Sequence, residues 1–279
     1  MIPQRNLSLL SNRLAKGGGR RIPEAVLERD YCLAWFLVGL SRQKLGQRLV
    51  FKGGTALKRC YFGDYRFSED LDFTLTEETT FETIRKELEP VFEAVRQQSG
   101  IVFQFAREDR QSHANSHTFY ITYDGPLPAT SGGKDVKVDI TIKEMMTFPI
   151  AKKPVLRGYE EYGDLPKDAR VRVYSLEEIA AEKMVALMDR ARNEPRDLYD
   201  VWHLVTESHV NLNHLIDAVE KKLEFRSKKL TDVRGEFKAK EARFKKLWDI
   251  RLSAQMSTLP EFEGVFRSVQ RAFRQAGVI

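Results

Sequence analysis

The sequence predicts an α+β protein, with a mixed-sheet N-terminal lobe over residues 1–168 and a helical lobe over 169–279. Three observations predict it. Strict alternation of apolar and polar residues, the period of a half-buried strand, is confined to the first half, as in "DLDFTL" (70–75) and "DVKVDITIK" (135–143). Prolines at 149, 154 and 166 then mark a change of texture. Beyond them, apolar residues recur at helical spacing to the C-terminus with no strand pattern.

Taken in order, residues 23–41 open on Pro23 and carry apolar residues at 27, 33, 34, 36, 37 and 40, which predicts a helix entering the core. "RLVFKGG" (48–54) reads as a strand running into a glycine turn, and "TALKRCYF" (55–62) as a short helix. The strand at 70–75 follows, then a helix over about 79–98. "IVFQFARE" (101–108), "HTFYITYDG" (117–125) and 135–143 are three further strands, with the turn-rich "GPLPATSGGK" (125–134) before the last. The proline-bearing stretch after 149 is expected to be a loop. Ser175 is the expected N-cap of a helix over 175–192, with Glu178 completing a capping box. Helices near 197–207, 211–226, 228–256 and 260–276 finish the chain, and no internal repeat is present.

Composition excludes several classes. A chain of 279 residues with 42% hydrophobic content can bury a core in two lobes, and its 31% charged residues form no low-complexity tract of the kind that stays disordered. Two cysteines, Cys32 and Cys60, are too few for a disulfide framework and suit a reducing cytoplasm. The first 21 residues lack the apolar core of a secretory signal. The longest apolar run, "CLAWFLVGL" (32–40), is too short to span a bilayer, so no membrane partner is expected and the run belongs to a buried helix. The net charge of +6 fits a partner bearing phosphates, although many ordinary enzymes are as basic.

The chemistry is concentrated in "FKGGTALKRCYFGDYRFSEDLDFTL" (51–75). On a strand, Asp70, Asp72 and Thr74 share one face while Leu71, Phe73 and Leu75 share the other. In the strand at 135–143, Val136, Val138, Ile140 and Ile142 form one face, and Lys137, Asp139 and Thr141 the other. If the two strands pair, Asp139 comes beside Asp70 and Asp72. Three neighbouring carboxylates repel unless a cation sits among them, and hard oxygen ligands suit Mg²⁺. A solvated polar face is the plain alternative for any isolated pair of strand acids. Here "GGT" (Gly53, Gly54, Thr55), between a strand and a helix, adds backbone N–H groups and a hydroxyl able to grip a triphosphate. Together these parts describe metal-dependent nucleotidyl transfer from an NTP.

A second cluster lies on the helices. In 175–192, Leu176, Ile179, Ala180, Leu187 and Ala191 form a stripe with Lys183 at its centre, and Glu178, Glu182 and Asp189 face the other way. A lysine among core-facing residues needs a partner: a structural acid, or the phosphates of a nucleotide. Arg190, at a similar angle, is a weaker candidate for that job. In "EPRDLYDVWHLV" (194–205), Asp197 flanks the apolar stripe of Leu198, Val201, Trp202 and Val205, whereas Asp200 points further away. Asp197 is either a dipole-favoured acid in the first turn, an orienter of Lys183, or an acceptor of the attacking hydroxyl's proton.

"GGTALKRCYFGDYRFSEDLDF", "VKVDI", "EEIAAEKMVAL" and "RDLYDVWHL" occur in this order, and over residues 30–205 the chain resembles the AbiEii/AbiGii nucleotidyltransferase toxins, which include the MenT toxins. The resemblance implies a polymerase-β-like nucleotidyltransferase core in the first lobe. It puts the family's metal-binding acids on Asp70, Asp72 and Asp139 and its glycine-and-hydroxyl turn on Gly53, Gly54 and Thr55. Its approach to the acids falls on Arg66 and Ser68, its lysine on Lys183, and its last aspartate on Asp197, with Asp200 as the substitute. It also implies the toxin half of a bacterial toxin–antitoxin or phage-defence pair, with a cognate antitoxin protein as partner. For MenT-like members it implies transfer of nucleotides from NTP to the 3′ acceptor end of tRNA, which blocks translation.

Two other readings stand beside it: the same fold acting on a protein or a small molecule, and a non-catalytic RNA- or protein-binding module. The Lys- and Arg-rich 221–251 is a solvated helix face or a phosphate-tracking surface, with Phe237, Phe244 and Trp248 spaced for packing rather than base stacking. "GGGRR" (17–21) reads as a mobile basic arm. His113 and His117 are four apart, but no Cys/His set supports zinc.

Overall fold

The structure is a computed structural model that describes residues 1–16, 18–109, 114–129 and 134–279. The chain divides into two compact units, Met1–Glu144 with Ile150–Val173, and Met145–Pro149 with Tyr174–Ile279.

The first unit comprises α1 (Gln4–Ala15), α2 (Glu24–Ser41), α3 (Leu45–Arg48), β1 (Leu49–Lys52), and α4 (Gly53–Ala56), which continues into a π-helical turn over Leu57–Tyr61. Then come β2 (Leu71–Leu75), α5 (Phe81–Ser99), β3 (Val102–Glu108), β4 (Ser116–Asp124), β5 (Asp135–Thr141), β6 (Ala151–Pro154) and β7 (Arg170–Val173). The strands form one sheet in the order β3-β4-β5-β2-β1-β7-β6. β2 runs parallel to β5 and β1 parallel to β7, and the other neighbours are antiparallel.

Alternation in the sequence fixes the two faces of this sheet. Leu71, Phe73, Val136, Val138, Ile140, Phe119 and Ile121 are buried on one side. The aromatic contacts of Phe36 (α2) and Phe92 (α5) with Phe103 (β3), at 5.6 and 6.1 Å between ring centroids, join helices to sheet. Every residue from Tyr31 to Leu40 in α2 is buried, as a helix apolar on all sides requires.

Two strands were not expected. β6 ("AKKP") and β7 ("RVRV") lie in the stretch read as a loop. Four-residue strands carry too little alternation to stand out, and Pro154 is tolerated because it ends an edge strand. β7 joins the sheet through Phe51↔Val173, so the first unit runs to Val173. The basic arm is pinned where it is described. Ile22 is fully buried, its carbonyl accepts a hydrogen bond from the Ser11 hydroxyl at 2.6 Å, and Arg21 Nε donates to that hydroxyl at 3.2 Å. Gly17 lies outside the described residues, as do His113 and the "TSGG" of the 125–134 turn.

The second unit contains α6 (Leu176–Met188), α7 (Pro195–Thr206), a 3₁₀ turn over Leu212–Leu215, α8 (Ile216–Phe225), α9 (Leu230–Val233), α10 (Glu236–Ala239), α11 (Glu241–Leu252) and α12 (Phe262–Gln275). The helix expected over 228–256 is thus three helices, with Gly235 at the first break. α6 ends at Met188 because the Asp189 side chain accepts from the Ala191 N–H at 3.0 Å, a local turn that competes with the helix. Ser175 caps α6 by accepting from the Glu178 N–H. The capping box does not form. Glu178 instead accepts from the Thr147 and Phe148 N–H groups at 2.9 and 2.8 Å and pairs with the fully buried Lys222 at 2.5 Å. Phe237, Phe244 and Trp248 are core residues, and the Phe237 ring stacks on Phe266 at 4.9 Å. No described helix is long and apolar enough to cross a membrane.

Candidate active site

The parallel register of β2 and β5 sets Asp72 directly beside Asp139. Neighbouring strands lie about 4.8 Å apart, so the two carboxylates share one face at close quarters. Lys52 of β1 is the antiparallel partner of Asp72, and Thr118 of β4 is the partner of Asp139. The row Lys52–Asp72–Asp139–Thr118 therefore crosses four strands. Lys52 Nζ also reaches over β2 to donate to the Thr141 hydroxyl at 2.9 Å. This cation was not among the expected site residues. Its only signal is its place before the glycine pair, because register partners of a strand cannot be read from one sequence. Asp139 is 29% exposed, with Lys137 Nζ 3.6 Å away. Asp70 sits one residue ahead of β2 and, like Asp72, is half-buried.

The glycine turn abuts these acids. Gly53 has φ +79°, a left-handed conformation, and a Cβ built there would lie 2.6 Å from Asp72 Oδ2. A Cβ on Gly54 would meet the Arg66 guanidinium at 2.4 Å. Gly53 needs glycine for its backbone conformation, whereas a Cβ at Gly54 would require the tip of the Arg66 side chain to shift. Thr55 is buried, and its hydroxyl donates to the Asp70 carbonyl at 2.5 Å. It ties the turn to the acid strand rather than standing open as a phosphate ligand. Arg66 and Ser68 are buried in the segment that leads to Asp70.

The side chains present fit a divalent ion. Among the described residues no three His, Cys, Asp or Glu side chains form a complete cage. Mg²⁺, however, is commonly held by one or two carboxylates together with substrate phosphates and water. Asp72 and Asp139, adjacent in register and beside a turn cleared of side chains, offer that arrangement, with Asp70 close along the chain.

The second unit gathers Lys183, Asp197 and Asp200. Lys183 Nζ lies 2.5 Å from Asp197 and 2.8 Å from Asp200, which are three apart on α7 and therefore on one face. Asp200 was expected to point away, but it is fully buried and shares the lysine. Arg192 Nε adds a contact to Asp197 at 2.6 Å. Burial alone would push the Asp197 carboxyl up, but Lys183 and Arg192 outweigh it and hold it down at about 2. Arg192 was not singled out in the sequence, where it is one of two arginines between α6 and α7. His117 does not join a metal site: its Nε2 lies 3.0 Å from the Thr79 carbonyl and its ring packs on Phe81.

A mixed sheet that presents paired carboxylates beside a glycine turn is the framework of a nucleotidyltransferase, and the family match agrees. The profile described as "Nucleotidyl transferase AbiEii toxin, Type IV TA system" matches residues 35–276, so the chain belongs to this family of toxin–antitoxin nucleotidyltransferases. Three solved structures share its fold. MenT4, a nucleotidyltransferase toxin from Mycobacterium tuberculosis H37Rv, superposes with a TM-score of 0.62 at 17% identity, covering 97% of this chain and 89% of its own. A putative nucleotidyltransferase from H. pylori gives 0.58 at 20% identity, with 91% and 96% covered. JHP933 from Helicobacter pylori gives 0.54 at 19%, with 91% and 93% covered. No curated protein sequence matches the chain.

Proposed function

We propose that this protein is a Mg²⁺-dependent toxin that transfers nucleotides from NTP to the 3′ acceptor end of tRNA, blocks translation, and is held in check by a cognate antitoxin in the cytoplasm. The observation that carries the chemistry is the side-by-side register of Asp72 and Asp139 next to Gly53. In the proposed reaction an RNA 3′-hydroxyl attacks the α-phosphorus of NTP, its O–H proton passes to solvent water, and the bond to the β-phosphate breaks so that pyrophosphate leaves. Asp70, Asp72 and Asp139 would hold the divalent ion, which when bound would supply charge neutralisation for the reaction.

The remaining work falls to this chain's own groups. The backbone N–H groups of Gly53 and Gly54 line the turn against which phosphates rest. Arg66, packed against Gly54, supplies a guanidinium there, and Ser68 steadies the approach to Asp70. Thr55 holds the turn to Asp70. Lys183, the lysine that the family resemblance carries over, has its ammonium fixed by Asp197 and Asp200 within the second unit. A carboxylate held at about 2 is a weak base at neutral pH, so Asp197 serves as orienter of Lys183 rather than acceptor of the hydroxyl proton.

The test is incubation of the protein with each labelled NTP, Mg²⁺ and total tRNA beside the Asp72→Ala variant. Label entering RNA only with intact Asp72 is the expected result. Label entering protein instead would move the acceptor to a polypeptide, and label entering neither would defeat the proposal.

A further inference from the structure

Lys58 takes no part in the chemistry above, yet it is one of the most deeply buried side chains of the first unit, at 2% exposure. It lies on the π-helical turn that follows Gly53–Ala56. Its Nζ lies 3.4 Å from the Gly63 carbonyl, 3.0 Å from the Tyr65 carbonyl and 3.1 Å from the Tyr159 hydroxyl. The Phe67 and Tyr159 rings face the ammonium at 4.2 and 4.9 Å. No carboxylate pairs with it among the described residues. Two carboxylates act on it without pairing: Asp30, which is taken by Arg59, and Asp64, six residues along the chain. Burial draws the Lys58 ammonium down to about 8, with Arg59 assisting and the carboxylates of Asp30 and Asp64 opposing.

An ammonium buried without a counter-charge costs stability, and an apolar side chain of similar length would fill the space without that cost. What a methionine could not supply is three directed donors. Two of them end on backbone carbonyls of the segment that delivers Phe67 to the aromatic pair, Arg66 to Gly54 and Ser68 to the lead-in of Asp70. The 62–69 segment has no helix or strand of its own to fix it.

We infer that Lys58 is a positioning residue: its ammonium clamps the 62–69 segment and so sets Arg66 and Ser68 against the glycine turn. The role rests on the proposed function, because the segment matters to catalysis only if phosphates occupy that turn. The clamp itself is testable without turnover.

Backbone hydrogen exchange over 62–69 is measured on the full-length protein, the Lys58→Met variant and the Tyr159→Phe variant, together with urea unfolding and NTP-dependent transfer. Lys58→Met is expected to speed exchange over 62–69 by roughly tenfold or more while the unfolding midpoint is unchanged or raised. The transfer rate at saturating NTP is expected to fall by roughly 10–100-fold, the scale of a misplaced contact group. Tyr159→Phe, which removes one hydroxyl and keeps the ring, is expected to speed exchange less in the same segment. Exchange over 62–69 equal to wild type in Lys58→Met overturns the inference. If that variant does not fold, unaltered exchange in Tyr159→Phe overturns it. Faster exchange in a protein whose wild type transfers no nucleotide supports the clamp and defeats the proposed function instead.

Discussion

In the sheet unit, Asp72 and Asp139 lie side by side on parallel strands, and Asp139 is 29% exposed with its lysine 3.6 Å away. In the helical unit, Asp197 and Asp200 are 2% and 0% exposed and grip Lys183 at 2.5 and 2.8 Å, with Arg192 closing on Asp197. The second cluster sets two cations against two anions and compensates its own charge. The first keeps Asp70, Asp72 and Asp139 half-buried rather than sealed. Aspartates of one chain thus sit in opposite settings: those of the sheet are half-buried, and those of the helices are sealed against their cations. The difference predicts that changes in the first cluster act on catalysis, and that changes in the second act on folding as well.

The largest expected effect tests the second half of that statement. Lys183→Ala leaves two buried carboxylates with one arginine and is expected to cost about 3–5 kcal/mol of folding stability, read from urea unfolding. A loss below about 1 kcal/mol, the scale of an exposed pair, would erase the contrast between the clusters. Next comes Asp72→Asn. It is expected to lower NTP transfer by roughly 10²–10³-fold, the scale of one lost electrostatic contact.

The pH dependence sharpens the comparison further. The Asp197 carboxyl is depressed from 3.8 to about 2 in the folded protein, so its contribution is fully present above about pH 4 and is lost as pH falls through 2. The contribution is about 2 kcal/mol. Urea titrations between about pH 5 and pH 2 should show this acid limb in the wild type and its absence in Asp197→Asn. The smallest effect is expected for Gly53→Ala, which places a side chain at φ +79° and should cost about 1–2 kcal/mol in backbone strain. The new methyl group would also press on Asp72 Oδ2, so transfer should fall along with stability. A Gly53→Ala protein with wild-type transfer would show that Asp72 tolerates displacement.

Legibility in the sequence followed the range of the interactions concerned. The strands 71–75, 102–108, 116–124 and 135–141 were readable because one face of each is buried, and burial imposes alternation. β6 and β7 were not readable, since strands of four residues, half of them Lys or Arg, are too short to leave a pattern. The Ser175 cap was legible because it is a contact between residues three apart. The fate of the Glu178 side chain was not, because Lys222 and Thr147 compete for it from 44 and 31 residues away. Likewise Lys183 could be recognised as a lysine in an apolar stripe that needs a partner, but the sharing of that lysine by Asp197 and Asp200 depends on how α6 and α7 pack.

By itself, then, the sequence determined which residues alternate, which helix faces are apolar, and that glycines precede a pair of strand acids, because each is a local consequence of burial and backbone sterics. Only the tertiary structure decided that β2 pairs in parallel with β5 in the register that joins Asp72 to Asp139, with Lys52 on the other side. A strand offers the same hydrogen-bonding edge to any partner, so its neighbour and register are chosen by the packing of the whole sheet.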